Sequence, residues 1–475
     1  MVLKPTIMKF GGTSVEDAPA FERVMRIVRA HEPQHPVVIV SAMSRVTDAL
    51  LASVQRAAEG GVEAALRSLD VHFERHLSVA RALLTKRLIG NIESAVESAR
   101  AETAELLGAV AAQMKPRAQL QDLIVSIGER LSATLLSNVL LENGLPAQYI
   151  DARRCLLTDE NYGCAAPIME ETERRTRAEI EPLIAAWKVP VLGGFIGATV
   201  SGETTTLGRG GSDYTAALVG AALSAREIQI WTDVTGVLTA DPRLVKSART
   251  ISRLSYAEAA ELAYFGAKVL HPKTIQPAVE RSIPVCICNS RAPQEAGTIV
   301  CSETEISPRT VKAIAHKTGI TTVQITSARM LGAYGFLRAL FEIFDRHRTI
   351  VDVVTTSEVS VSLSVEDAEA LPAILEELRR LGTVEVETGR AIICIVGEGL
   401  RGTPGIAARA FSTVSEINVT LISHGASSVN LTFVIGEERV GEAVTRLHEA
   451  FFEDSQAQSQ KSEAMFSTSG SGSSG

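Results

Sequence analysis

Over its first 300 residues the chain alternates short apolar runs with longer stretches of helical periodicity. That alternation constrains the fold more than any other feature. A strand, a covering helix and a further strand repeated along a chain build a mostly parallel sheet with helices on both faces. Ligands of such sheets sit beyond the carboxyl ends of the strands. Strands are expected at residues 6–10, 37–41, 123–126, 189–193, 227–232 and 285–288, with helices at 18–30 and 47–58. The stretch from 47 to 113 is helix-forming throughout and carries no strand signal.

Near residue 303 the rhythm changes. "SETEISPRTVK" is polar and contains proline, the composition of a linker. The segments "GITTVQIT", "AYGFLRALFEIFDRH", "IVDVVTT", "VSVSLS", "EDAEALPAILEELRRL" and "TVEVET" then follow as β-α-β-β-α-β, the ferredoxin-like split unit. A second such unit begins at "AIICIVG" but lacks its last strand, for which "TVKAIAH" is the available donor. The tail from Ser455 has fourteen Ser, Gly or Gln among its twenty-one residues, too little apolar area to order itself. The expected organisation is a catalytic domain at 1–303, one small unit at 319–389, another built from 311–316 plus 390–453, and a disordered tail at 454–475.

Bulk properties narrow the partners. A length of 475 residues suits about three domains. The net charge of −8 argues against a nucleic-acid surface. No apolar run reaches the roughly 18 residues of a membrane span, and no secretory signal is read. Six cysteines are scattered without CxxC spacing. Cys286 and Cys288 alternate on one side of a strand, as small buried hydrophobes rather than a metal pair, and no protein metal site is expected. A reducing, cytoplasmic location fits.

Four constellations carry chemistry. In "IMKFGGTSV", Lys9 ends a strand and Gly11 and Gly12 follow, so backbone amides could approach an anion beside a flexible ammonium. An exposed lysine in a common turn explains that stretch equally well when it is taken alone. In "TTTLGRGGSDYTAAL", Ser212 or Asp213 suits a helix N-cap, yet Arg209 between glycines points to a bidentate hold on a carboxylate or phosphate. In "IWTDVTGVLTADPR", a buried strand ends at Thr232-Asp233 in a loop that could hold a nucleotide or simply be capped. In "SIGER", Glu129 is expected to follow a strand and open a helix, where it could meet an ammonium or merely favour the helix dipole.

The ordered set "KFGGTSV", "SAMSRVTD", "SIGER", "LGRGGSDYTAAL", "WTDVTGVLTADPR" and "FGAKVLHPKT" closely resembles the aspartate kinase family over the chain to about Phe452. The resemblance implies an amino-acid-kinase-type three-layer α/β sandwich with a mostly parallel sheet, followed by two ferredoxin-like ACT units. It implies transfer of the γ-phosphoryl of ATP, with Mg2+, to the side-chain carboxylate of L-aspartate, the first step toward lysine, threonine and methionine. A carboxylate is already nucleophilic, so positioning and charge stabilisation would suffice. By the same resemblance Lys9 would act on the transferred phosphoryl group beside Gly11 and Gly12, and Asp213 would orient Lys9. Arg209 would clamp the substrate α-carboxylate, Glu129 would pair its ammonium, and Ser41 and Thr47 would add hydroxyl contacts. Thr232, Asp233, Leu238, Arg243, Lys268 and Val269 match nucleotide-binding positions. Leu238 stands where many relatives carry tyrosine, and Asp48 where asparagine is frequent.

The regulatory half resembles the lysine-sensitive class. Met330, Gly335, Phe336, Leu337, Val351, Asp352, Ser357 and Glu358 match its effector positions, with Asp352, expected at a strand end, facing an effector ammonium. ACT units usually also dimerise, so a dimer or dimer of dimers is implied, with L-lysine as allosteric effector. No fused homoserine dehydrogenase is expected. Two alternatives remain open at this stage: another carboxylate kinase of the superfamily, and an inactive amino-acid sensor.

Overall fold

The computed structural model describes residues 4–266, 270, 272–302, 310–332, 334–366 and 369–453. Part of the expected linker and the whole 454–475 tail therefore lie outside the described residues. The chain divides into two compact units, one formed by residues 1–237, 252–256 and 270–303, the other by 238–251, 257–269 and 304–475.

The first unit is wound around an eight-stranded sheet. Its strands are β1 (Thr6–Phe10), β2 (Pro36–Val40), β3 (Ala147–Ile150), β4 (Val189–Gly193), β7 (Glu227–Thr232), β8 (Arg253–Ser255), β9 (Val285–Asn289) and β10 (Thr298–Cys301). A separate hairpin pairs β5 (Ile196–Ala198) with β6 (Thr204–Thr206). The sheet order is β3-β4-β2-β1-β7-β9-β10-β8, parallel except where β10 pairs antiparallel with β9. The order reverses around β1, whose neighbours are β2 and β7. That reversal opens a crevice at the strands' carboxyl ends.

Residue alternation sorts the two faces. Met8, Phe10, Val38 and Val40 join the core formed with α1 (Ala18–Ala30), α2 (Val46–Ala58), α3 (Val62–Leu83), α4 (Lys86–Ala111) and α5 (Arg117–Glu142). Ile7 and Ile228 point the other way, where a Cβ on Gly220 would lie 2.7 Å from Ile228. Gly220 belongs to α7 (Gly211–Ala222), which packs with α6 (Met169–Ala185) and α9 (Gln276–Glu280). Helix α1 illustrates the local logic. Asp17 caps it by accepting from the Ala20 amide at 2.9 Å, and Phe21, Val24, Ile27 and Val28 form its buried stripe. Burying each such side chain contributes about 1.5–3 kcal/mol.

The strand expected at 123–126 does not exist. "LIVS" lies inside α5, a helix buried on nearly every side. Its apolar run thus lacks the one-sided stripe that marks a surface helix, and short apolar runs are ambiguous between the two states. Of the described helices, α5 has the length and apolar composition of a membrane span, and 83% of that window is buried inside the protein.

The second unit holds α8 (Tyr256–Tyr264) from its second residue on, together with β11 (Ala313–Thr326), α10 (Phe336–Arg346), β12 (Val351–Thr356), β13 (Ser360–Glu366), α11 (Leu371–Leu378) and β14 (Thr383–Val396). It continues with α12 (Ile406–Thr413), β15 (Leu421–His424), β16 (Asn430–Gly436) and α13 (Val440–His448). One antiparallel sheet runs β12-β13-β11-β14-β16-β15. Two pairs of strands that the sequence separates are each a single long strand. β11 contains both "AIAH" and "ITTVQIT", and β14 contains both "TVEVET" and "AIICIV". Gly319 and Gly389, at φ +71° and +65°, let these strands bend without breaking. Ala313–Lys317 pair with Val396–Ile392, and Ile320–Thr326 with Arg390–Thr383, so two βαββαβ units share both central strands. Ala240 and Val245 are built into the apolar core of the 390–453 half, where Thr239 also hydrogen-bonds His448 at 2.9 Å.

Candidate active site

A cleft of about 680 Å³ opens at the carboxyl ends of β1, β2 and β7. Lys9, Gly11, Gly12, Ser41, Thr47, Glu129, Arg209, Asp213 and Thr232 all line it. The chain brings them together from more than 220 residues of sequence.

Lys9, near the end of β1, pairs with Asp213 at 2.7 Å, both side chains being mostly buried. Neither Ser212 nor Asp213, the two residues suited to the N-cap, occupies it. Gly210, at φ +73°, caps α7, and Asp213 stands in the helix's first turn, where the dipole favours an acid. Arg209 lies between Gly208 and Gly210, both in the left-handed region. No described residue pairs with its guanidinium, which faces the cleft unengaged. Ser41 follows β2 and donates to Ser212 at 3.1 Å.

The glycines after β1 act differently from expectation. The Gly11 amide donates to the Trp231 carbonyl at 3.1 Å, so it is not free for an anion. Gly12 is required by space: a Cβ there would lie 2.9 Å from the Ala42 carbonyl oxygen. A second pair escaped the sequence reading. A Cβ on Gly193 would meet the Glu129 Cβ at 3.0 Å, and one on Gly194 the Ser212 Cβ at 2.7 Å. These glycines let α5 and α7 close onto the end of β4, and their signal was a Gly-Gly ending a fully buried strand.

Glu129 does not open a helix after a strand. It sits at the centre of α5, 3% exposed, with one carboxylate oxygen unpartnered. Burial raises its pKa to about 8, offset in part by backbone amides at Ala42 and at Glu129 itself. Such a carboxyl is an unfilled acceptor on a cleft wall. Gln121, Val125 and Glu129 face the cleft at four-residue spacing, so one helical stripe forms that wall.

Asp233 accepts from the Thr232 hydroxyl at 3.2 Å. Leu238 and Arg243 belong to the second unit, where Arg243 folds back on Asp241 at 2.6 Å. Lys268 and Val269 lie outside the described residues.

Among the effector positions, Met330 ends a 3-10 turn, Gly335 caps α10, and Phe336 and Leu337 form its first turn. Ser357 and Glu358 lie in the β12–β13 turn, where Ser357 meets the Ser360 hydroxyl at 2.7 Å. Val351 and Asp352 begin β12; Asp352 does not end a strand. Its acid is buried and already paired. Its side chain is 2% exposed, bonded to the Tyr264 hydroxyl and to Lys317 at 3.2 Å. Lys317 also reaches Glu366 at 2.9 Å and lies 4.8 Å over the Tyr264 ring.

With this geometry in place, comparison with known proteins is direct. Residues 4–289 match the model of the amino acid kinase family, and residues 393–451 match that of the ACT domain. The chain belongs to the amino acid kinase family and carries a C-terminal ACT domain, the fold its motifs imply. Lysine-sensitive aspartokinase 3 of Escherichia coli is 37% identical over 455 residues, covering 94% of this chain and 99% of that one. Aspartokinase 1 (chloroplastic) of Arabidopsis thaliana is 36% identical, covering 94% and 80%. The crystal structure of Escherichia coli aspartokinase III with aspartate and ADP is similar at a TM-score of 0.79 and 36% identity, covering 94% of this chain and 100% of that one. The same enzyme with lysine and aspartate gives 0.80 at 36% identity, covering 94% and 99%. Within its family the chain is an aspartokinase, a phosphotransferase acting on a carboxyl group.

Proposed function

We propose that this aspartokinase transfers the γ-phosphoryl of MgATP to the side-chain carboxylate of L-aspartate, giving 4-phospho-L-aspartate and ADP, as the opening step toward lysine, threonine and methionine. A carboxylate oxygen attacks the γ-phosphorus as the bond to the β-phosphate bridging oxygen breaks, and no proton moves. Lys9, held by Asp213, neutralises charge on the transferring group. Arg209 takes the α-carboxylate, Glu129 the ammonium, and Ser41 and Thr47 bond the substrate. Among the described residues no three His, Cys, Asp or Glu side chains converge on a metal position. Magnesium enters with the nucleotide substrate, ligated mostly by phosphate oxygens and water.

The observation that carries this reading is the unpartnered oxygen of buried Glu129 in the same cleft as free Arg209. An α-amino acid supplies the missing charge for each. An N-acylated acid supplies only one, which disfavours the related kinases that use such substrates. The test is ATP consumption with hydroxylamine trapping of the acyl phosphate. L-aspartate should give the hydroxamate and N-acetyl-L-glutamate none; the reverse would defeat the reading.

Lysine is the proposed feedback inhibitor, bound at the first regulatory unit in a homo-oligomer. Leu331, Tyr334, Leu337, Phe341 and Ile350 are exposed there, an apolar surface suited to a second copy. The effector ammonium must share or displace Lys317 at Asp352. A coupling of about 1–3 kcal/mol between effector and substrate sites is usual. Asp352→Ala removes a charged acceptor for the effector ammonium, worth about 1.5–3 kcal/mol, and should raise the lysine concentration for half-inhibition about tenfold or more; an unchanged inhibition curve would remove Asp352 from the effector site.

A further inference from the structure

Asp122 lies two turns before Glu129 on α5 and is 1% exposed. Its carboxylate is fully engaged on one side of the cleft. Oδ2 accepts from the Gly163 amide at 2.9 Å and from the Thr206 amide at 2.8 Å, and Oδ1 accepts from the Thr206 hydroxyl at 2.8 Å. Burial raises its pKa, and these three donors pull it back. A buried carboxylate is a costly way to close a turn, so what it holds in place is informative.

The two segments it holds lead to Arg209. Thr206 ends β6, two residues before Gly208, and its carbonyl accepts from the Ala165 amide at 2.9 Å. Gly208 runs so close to Gly163 that a Cβ would lie 3.2 Å from the Gly163 carbonyl oxygen. Gly163, Thr206, Gly208 and Arg209 all line the cleft. Seven residues on a helix return to the same face, so Asp122 and Glu129 share the side of α5 that faces these groups. One rigid helix thus carries the acceptor for the ammonium and the anchor for the arginine that takes the carboxylate.

We propose that Asp122 is a positioning residue that fixes Arg209 relative to Glu129, so that α5 gauges the ammonium-to-carboxylate spacing of an α-amino acid. The inference rests on the aspartate reading of the cleft. It requires Asp122 to act through Arg209 on the α-carboxylate alone, with no contact to substrate and no effect on the nucleotide.

The test is steady-state kinetics of Thr206→Val, Thr206→Ser and Asp122→Asn, with L-aspartate and with its α-amide, which lacks the charged α-carboxylate. Melting temperatures report folding. Thr206→Val removes one hydroxyl bond to a charged acceptor at constant shape, and should raise the aspartate KM about tenfold with the ATP KM within about twofold. The preference for L-aspartate over its α-amide should shrink by the same factor, and Thr206→Ser should restore it. In an Arg209→Ala background Thr206→Val should cost nothing further, since the group it positions is gone. Asp122→Asn should act in the same direction and more strongly; if it does not fold, Thr206→Val decides. An unchanged α-amide discrimination in folded variants, equal losses for both substrates, or full additivity with Arg209→Ala would each overturn the inference while leaving the aspartate reading intact. Failure of the wild-type enzyme to phosphorylate L-aspartate would instead overturn that reading, and the inference with it.

Discussion

Lys9→Ala is expected to lower turnover by about a hundredfold or more, because removing one preorganised group that stabilises transition-state charge costs roughly 3–4 kcal/mol. Lys9 is mostly buried and paired with Asp213 at 2.7 Å, so its ammonium is fixed before substrate arrives. No solvent rearrangement is then needed as charge builds on the phosphoryl oxygens. The loss should appear in kcat and in kcat/KM together, the signature of an interaction made mainly in the transition state. Removing the lysine also leaves Asp213 without its cation, so Asp213→Asn in the same background separates lost charge stabilisation from an unpaired acid. Wild-type turnover in a folded Lys9→Ala protein would sink the role assigned to this residue.

Glu129→Gln is expected to raise the aspartate KM strongly while leaving the ATP KM almost unchanged, and to abolish a pH dependence that the wild-type enzyme should show. Burial holds the Glu129 carboxyl near 8 in the free enzyme, so at neutral pH it is mostly the neutral acid. A substrate ammonium requires the carboxylate, and binding therefore expels a proton. Free enzyme holds more protons than the complex below pH 8, so affinity rises as pH rises and levels off above that value. From pH 7 to 8 the ionised fraction grows about fivefold, and the aspartate KM should fall by about the same factor. Glutamine has no proton to lose, so the variant's KM should be flat across this range. The same shift acts on the free protein's stability. An acid raised on folding contributes stability that is fully present below its unfolded value of 4.5 and is lost as pH rises through about 8. A wild-type aspartate KM independent of pH, or equal effects on both substrates in Glu129→Gln, would reject the ammonium contact.

Much of this protein was legible from residue order. The helix at 18–30, the buried run of β1 with Lys9 one residue from its end, and one βαββαβ rhythm followed by most of a second after residue 310 are local patterns, fixed by propensity and alternation. The family followed from six motifs in sequence, each weak alone and specific together. What the sequence misjudged were elements whose state depends on neighbours far along the chain. "LIVS" has strand-like side chains, yet it belongs to α5 because that helix is enclosed on nearly every side and needs no polar face. Glu129 was read as a first-turn acid, and its place at the centre of the enclosed helix α5 makes it a buried, half-satisfied carboxyl. Asp352 was expected at a strand end facing an effector ammonium; it begins β12 instead, and its carboxylate is already held by Tyr264 and Lys317. Asp122 drew no notice at all, since nothing near it in the sequence announces the amides of Gly163 and Thr206. A residue's type and its local pattern decide which bonds it is able to make. Burial and distant donors decide which of those bonds exist and what charge the group then carries, and those depend on the folded chain alone.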